Sequence, residues 1–198
     1  LAGTHRADEE QVGSGVHAAM LAKSSRRRRY NCRMFRFVVV FLICLIALFT
    51  LELLQPVQTH VILPFTAGVA HVSVWVMHLF DQDVIARQND ILNAATGGGI
   101  EIVAGCNGIE AVLILVSAVL AFPAPWKHKV VGMVLGFLAI QALNLVRIVS
   151  LFYLHEWNQV WFEWFHLYLW QALIILDALV FWLIWLRYLP RSLAPQTV

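Results

Sequence analysis

Charged side chains are scarce in this sequence: they make up 13% of its 198 residues, whereas 60% of the residues are hydrophobic. An ordinary soluble domain carries about 25% charged residues, so this composition excludes a soluble globular protein and favours a membrane protein. The eight Trp and twelve Phe residues fit this interpretation, because many stand near the ends of apolar runs. Aromatic side chains concentrate there at the two interfaces of a bilayer.

Cysteine is also scarce, and familiar metal motifs are absent. The three cysteines, Cys32, Cys44 and Cys106, form no Cys-x-x-Cys pair, so neither a disulfide framework nor a zinc ribbon is indicated. The eight histidines show no His-Glu-x-x-His spacing and no accompanying carboxylate cluster. We therefore expect neither a metal nor another cofactor.

Four apolar runs reach the length of about 20 residues that crosses a hydrocarbon core of about 30 Å. They cover residues 35–54, 102–122, 130–154 and 167–188. The sequence predicts an all-α membrane protein, a small transmembrane helix bundle that forms one domain over residues 34–191. A basic, disordered tail is predicted for residues 1–33 and a short cytoplasmic tail for residues 192–198. Met34 is a plausible start of the natural chain.

Basic residues are distributed unevenly along the chain. Eight of the fourteen Lys and Arg residues precede Phe37. Four more lie within residues 123–129 or near the C-terminal end. Residues 55–105 instead hold four acidic residues against Arg87 alone, and residues 155–165 hold two glutamates and no base. Because basic segments stay in the cytoplasm, the two termini and the loop at 123–129 are predicted to lie inside and the acidic segments outside.

The stretch from Val61 to Phe80 is apolar but mixed, since it contains Pro64, Gly68 and two histidines. If it crossed the membrane completely, the acidic loop and the Lys127 loop would both fall on the wrong sides. We therefore predict an interfacial or re-entrant segment here. Residues 81–101 are predicted to be a loop, with short extended segments at 84–86 and 100–103.

Three chemically reactive side chains are predicted to share one depth near the outer face. Cys106 stands on the first turn of the second span, and Arg147 lies roughly 10 Å below the outer end of the third. His166 stands at the outer start of the last span. These positions were assigned independently, so we expect a thiol, a guanidinium and an imidazole in one layer of the bundle.

Arg147 is the most informative of the three, because an arginine inside a span costs at least about 2.5–3.5 kcal/mol on insertion scales. Gln141 and Asn144 share its helix face at intervals of three residues, so this face is predicted to point into the bundle. Glu110, one turn from Cys106, is a candidate partner for the guanidinium. The alternative is a structural ion pair that only fixes helix packing.

For Cys106 the alternative is an inert, small apolar side chain. A helix N-terminus and a nearby arginine both favour the thiolate and can lower a cysteine pKa from about 8.5 to between roughly 3.5 and 7.5. Cys44, in the middle of a span, and Cys32, in the tail, have no such setting and are expected to be silent.

His166 has its own alternative, since a single interfacial histidine is often only an amphipathic anchor. The aromatic residues around it, at 161–168, could exclude water from a general acid. His155 is the second candidate for this role.

Taken together, Cys106-Asn107-Gly108, the Asn-x-x-Arg of Asn144 to Arg147, and His166 resemble the exosortase/archaeosortase family of membrane-embedded cysteine transpeptidases. The resemblance covers residues 35–189 and keeps the family's order of Cys, Arg and His. Few spans precede the cysteine, which indicates a compact subtype.

The resemblance implies an enzyme of the prokaryotic cytoplasmic membrane whose site faces outward. Its substrates would be secreted proteins with a PEP-CTERM-like sorting tail: a motif, a transmembrane helix and a basic cluster. It would cut at the motif through a thioester and pass the new C-terminus to an amine on an unknown surface acceptor. No nucleic-acid partner is implied.

The same resemblance suggests a role for each site residue. Cys106 would be the nucleophile, Arg147 would stabilise the oxyanion, and His166 would act as general acid and base. Asn144 would orient Arg147 or the substrate. Glu110, Asn107 and Gly108 are assigned supporting or substrate-binding roles.

Two other classes of protein remain open from the sequence. A membrane scaffold or assembly subunit would explain the spans and a buried ion pair without chemistry. A small transporter would need polar residues through both leaflets. Asp177, Gln141 and Ser117 extend part of the way, but nothing polar continues from them to the Lys127 side.

Overall fold

The computed structural model describes residues 32–103 and 105–189, which form five helices and one small sheet. The helices are α1 (Cys32–Glu52), α2 (Gln55–Met77), α3 (Ile109–Ala121), α4 (Trp126–Trp157) and α5 (Gln159–Arg187). Helix α1 begins two residues inside the predicted basic tail. The rest of that tail and the predicted C-terminal tail lie outside the described residues.

By length and composition, four of the described helices can cross a membrane: α1, α2, α4 and α5. The prediction of an all-α transmembrane bundle with about four spans is confirmed. The set of helices differs from the expected one, because the run at 102–122 yields only the 13 residues of α3. The stretch from Val61 to Phe80, predicted to be interfacial or re-entrant, instead supplies most of the 23-residue helix α2.

Helix α2 accommodates Pro64 by a local change of helical form. A π-helical turn at Gln58–Ile62 directly precedes the regular segment Leu63–Met77, in which Pro64 occupies the first turn. Proline has no N–H to donate to the preceding turn, and a wider turn beside it is a known way to absorb the disruption. The proline therefore reshapes the start of this segment without ending the helix.

Helix α2 runs parallel to α4. The Phe65 ring packs against Phe137 with centroids 6.1 Å apart, and Met77 shares a buried cluster with Phe152. Both helices therefore end at the same end of the bundle. The acidic segment after α2 remains beside the Cys106 end even though α2 is long enough to cross.

Residues 84–101 form a three-stranded antiparallel sheet where a loop with short extended segments was predicted. Its strands, in the order β1-β2-β3, are Val84–Arg87, Asp90–Asn93 and Gly99–Glu101. One face is buried against α2 and α4, where Val84 and Ile91 are fully buried, and Ile85 on the other face is 48% exposed. The alternation is that of a strand with one covered face.

Helices α4 and α5 are joined by one residue. The side chain of Asn158 accepts hydrogen bonds from the backbone N–H groups of Val160 (2.9 Å) and Trp161 (3.3 Å), so it caps the N-terminus of α5. The chain reverses at this cap, and Trp185 at the far end of α5 donates to the His128 carbonyl at the start of α4 (3.0 Å). This antiparallel pairing brings the first turns of α5 beside the last turns of α4.

Gly136 of α4 lets α3 and α5 approach this helix closely. A Cβ on Gly136 would collide with the Leu115 side chain of α3 and would lie 2.8 Å from Cε1 of the Phe181 ring of α5. A Cβ on Gly68 of α2 would meet nothing within 4 Å. Small residues at such crossings are a common basis of helix packing in membranes.

We expect Gly136→Ala to destabilise the bundle by about 1–3 kcal/mol, because the added methyl group overpacks the α3–α4–α5 contact. Gly68→Ala is the matched control and should be neutral or stabilising by up to about 1 kcal/mol, since alanine restricts the unfolded chain. Thermal unfolding of the full-length protein in detergent measures both changes. Equal effects of the two substitutions would contradict this description of the packing.

Candidate active site

The predicted nucleophile lies in a tight loop that precedes α3. Gly105 (φ +89°) and Gly108 (φ +79°) adopt the left-handed conformation that favours glycine, and the Cys106 N–H donates to the Val103 carbonyl (3.0 Å). The sequence predicted Cys106 on the first turn of a helix, whereas the structure places it in the loop before α3, outside the helices that are long enough to cross a membrane. A side chain at Gly108 would also be tight, since a Cβ there would lie 3.0 Å from Gln141 Nε2.

The structure brings the three predicted catalytic side chains into contact. Cys106 Sγ lies 3.1 Å from His166 Nε2, and Arg147 Nη2 lies 3.5 Å from the same sulfur atom. Arg147 Nη1 also donates to the Gly105 carbonyl (3.4 Å). A thiol, an imidazole and a guanidinium from three parts of the chain thus meet at one point.

His166 is held by the geometry at the start of α5. It lies in a π-helical turn, Phe165–Leu169, and its ring packs 5.5 Å from the centroid of Phe162. His155, the second candidate from the sequence, also packs against the Phe162 ring, with ring centroids 5.0 Å apart. Of the two histidines, the structure places only His166 in contact with the thiol.

Arg147 is 1% exposed and is the largest fully buried side chain of the described residues. Its hydrogen-bond partners are the Gly105 carbonyl and the Cys106 sulfur, and its Nε has no partner. Glu110, predicted as its ionic partner, forms no ion pair with it in the described part of the chain. A buried guanidinium with spare donors is suited to bind a developing negative charge.

The sequence suggested that Asn144 orients Arg147, but the Asn144 side chain makes no hydrogen bond to Arg147. Its side chain is fully buried, packs against Gly108, and has neither its amide N–H₂ nor its amide oxygen hydrogen-bonded to a described residue. The structure therefore shows Asn144 beside the nucleophile loop and does not show it orienting the arginine.

Asn107, next to the nucleophile, joins three helices. Its Nδ2 donates to Thr66 Oγ1 of α2 (3.1 Å), and its Oδ1 accepts from the Ile109 N–H at the start of α3 (3.1 Å). Its backbone carbonyl accepts from Gln141 Nε2 of α4 (3.3 Å). Leaving such a buried group without a partner costs about 1–3 kcal/mol, so these bonds fix the loop.

Thr66 was missed by the sequence analysis. It stands 41 residues before Asn107, in the stretch predicted to be interfacial, and no motif includes it. The sequence pattern predicts for Gln141 only a shared helix face with Asn144 and Arg147 and a place in a possible polar pathway, not a bond to the nucleophile loop. Thr66 is a polar residue in an apolar stretch, which is the only sign of its role in the sequence. That role can be recognised only when α2 is known to pack beside α4.

Burial raises the pKa of the Cys106 thiol above its ordinary value; Arg147 lowers this pKa, and Glu110 raises it further. The sequence had predicted a lowered pKa, so that expectation was wrong. Arg147 acts in the expected direction, but the cost of burying a thiolate is larger. The resting group is a thiol, and His166 Nε2 is close enough to take its proton during a reaction.

The Cys106 sulfur thus contacts a histidine and a buried arginine at one end of a bundle whose helices include four that are long enough to cross a membrane. The family model described as transmembrane exosortase (Exosortase_EpsH) matches residues 28–185. The protein therefore belongs to the transmembrane exosortase family, which confirms the resemblance. No curated protein and no solved structure matches the chain.

We expect Glu110→Gln to move the alkylation of Cys106 by iodoacetamide to lower pH, because it removes a negative charge that raises the thiol pKa. Alkylation is followed on the full-length protein by mass spectrometry of the Cys106 peptide. Glu163→Gln is the control, since this carboxylate on α5 accepts from Gln159 and does not act on Cys106. An unchanged or higher pH midpoint in Glu110→Gln would contradict the assigned electrostatics.

Proposed function

We propose that this exosortase is a cysteine transpeptidase that cleaves the C-terminal sorting tail of secreted proteins and transfers them to an amine acceptor at the cell surface. The observation that carries the proposal is the 3.1 Å contact between Cys106 Sγ and His166 Nε2 beside the buried Arg147. A scaffold would have no need of a thiol in contact with both a base and a cation.

In the first half-reaction, His166 Nε2 accepts the thiol proton while Cys106 Sγ attacks the scissile carbonyl carbon. The carbonyl oxygen becomes an oxyanion, and Arg147, which already reaches the sulfur, stabilises it. One such donor is worth about 10²–10³ in rate. The C–N bond then breaks, His166 returns the proton to the departing amine, and the substrate remains attached to Cys106 as a thioester.

In the second half-reaction, the acceptor amine attacks the thioester carbonyl and gives its proton to His166. Collapse of the second tetrahedral intermediate breaks the C–S bond, forms a new amide and regenerates the Cys106 thiol with that proton. Water in place of the amine would release a carboxylic acid. The protein residues have the same roles in both cases.

The dimensions of α4 support a site near the outer boundary of the bilayer. Arg147 stands 21 residues after Trp126, or about 32 Å along the helix, close to the thickness of a hydrocarbon core of about 30 Å. Lys127 and Lys129 stand at the opposite end, as a cytoplasmic end requires. A sorting tail with its basic cluster inside would present its motif at the level of Cys106.

To test the proposal, the full-length protein is co-expressed with a secreted protein of the same genome that ends in a motif, a helix and a basic cluster. Cys106→Ala should abolish removal of the tail, because the thioester cannot form. Cys44→Ala, in α1, should process the tail at the wild-type rate. Both variants are first shown to accumulate in the membrane at wild-type levels.

Normal tail removal by Cys106→Ala would overturn the proposed function. A Cys106→Ser variant that also processes normally would favour a scaffold, in which the sulfur atom does no chemistry.

A further inference from the structure

The described residues of the loop that carries the nucleophile, 102–103 and 105–108, form no helix or strand. Asn107 is fully buried, and its side chain bonds through Nδ2 to Thr66 and through Oδ1 to the Ile109 N–H. The bond to Ile109 is local and accompanies the start of α3. The bond to Thr66 connects the Asn107 side chain to a helix that is distant in sequence.

Thr66 is well suited to this contact. Its side chain is 4% exposed, and its hydroxyl donates to the Ile62 carbonyl (2.9 Å), one turn earlier in α2. With its proton committed there, Oγ1 presents lone pairs to the Asn107 Nδ2 donor. The hydroxyl therefore has a defined direction, and so does the amide that depends on it.

We propose that Thr66 is a positioning residue for the nucleophile: its bond to Asn107 holds the loop so that Cys106 Sγ meets His166 and Arg147. The geometry leaves little freedom, because Asn107 directly follows Cys106 and is fixed from α2, α3 and α4. Helix α2 thus supports the site through one hydroxyl group, although it carries none of the Cys, Arg and His motif residues.

Ser73 offers a matched comparison on the same helix. It is fully buried, and its hydroxyl donates to the Val69 carbonyl (2.8 Å) just as that of Thr66 donates to Ile62. Among the described residues, its hydroxyl makes no hydrogen bond to the Cys106 loop. Removing either hydroxyl disturbs the interior of α2, but only removal of the Thr66 hydroxyl breaks the bond to Asn107.

The first readout is the pH dependence of Cys106 alkylation by iodoacetamide in the full-length, membrane-embedded protein. Thr66→Val keeps the shape of the side chain and removes the acceptor, so the loop should loosen and Cys106 should become more exposed. Its alkylation should then be faster at neutral pH, with a midpoint at lower pH, because burial is the main cause that raises the thiol pKa. Arg147, Glu110 and His166, which face Cys106 from α4, α3 and α5, are unchanged.

Thr66→Ser retains the hydroxyl and should restore the wild-type profile, and Ser73→Ala should leave it unchanged. An unaltered profile in Thr66→Val would overturn the proposal, as would an equal shift in Ser73→Ala. If Thr66→Val fails to accumulate in the membrane, Thr66→Ala is measured instead and must give the same shift.

The second readout is tail processing, and it rests on the proposed function. We expect Thr66→Val to lower the rate at saturating substrate at least about tenfold with little change in KM, because the loop positions the attacking atom and not the substrate. A change in KM alone would contradict a positioning role. The alkylation profiles need no substrate, so failure of the proposed function, seen in Cys106→Ala, stays distinguishable from failure of this inference.

Discussion

The burial of Arg147 is the constraint on which the rest of this structure depends. A guanidinium that is 1% exposed on an apolar helix cannot be left among hydrocarbon side chains. Its partners are the Gly105 carbonyl and the Cys106 sulfur, so the loop before α3 must lie across α4 at this height. Three features support that arrangement: the two glycines of the loop, the hydrogen bond from Asn107 to Thr66 of α2, and the reversal of the chain at Asn158.

The electrostatics of the site follow from the same burial. Withdrawing the thiol from water raises its pKa more than the adjacent positive charge lowers it. The site therefore differs from cysteine sites that keep a free thiolate beside a cation in water. A thiol with a raised pKa is less open to oxidation or alkylation at neutral pH, since the thiolate is the reactive species.

Much of this could be predicted from the sequence, because the fixed rise of a helix converts residue number into depth. Cys106, Arg147 and His166 were expected in one layer, and the structure brings nitrogen atoms of His166 and Arg147 within 3.5 Å of the Cys106 sulfur. Their catalytic roles rest on chemistry that the fold alone does not test. What could not be predicted depends on which helices are neighbours: α2 running parallel to α4, the Thr66–Asn107 bond across 41 residues, and the degree of burial that sets the thiol pKa.

The central claim is that Cys106 carries a covalent acyl intermediate, and intact mass spectrometry tests it most directly. The full-length protein in detergent is mixed with a tail-bearing secreted protein of the same genome, without an amine acceptor, and quenched in acid. The account predicts an added mass equal to the substrate without its tail, located on the Cys106 peptide and released by neutral hydroxylamine as a thioester requires. Tail cleavage with no adduct on Cys106, or with an adduct on another residue, would contradict it.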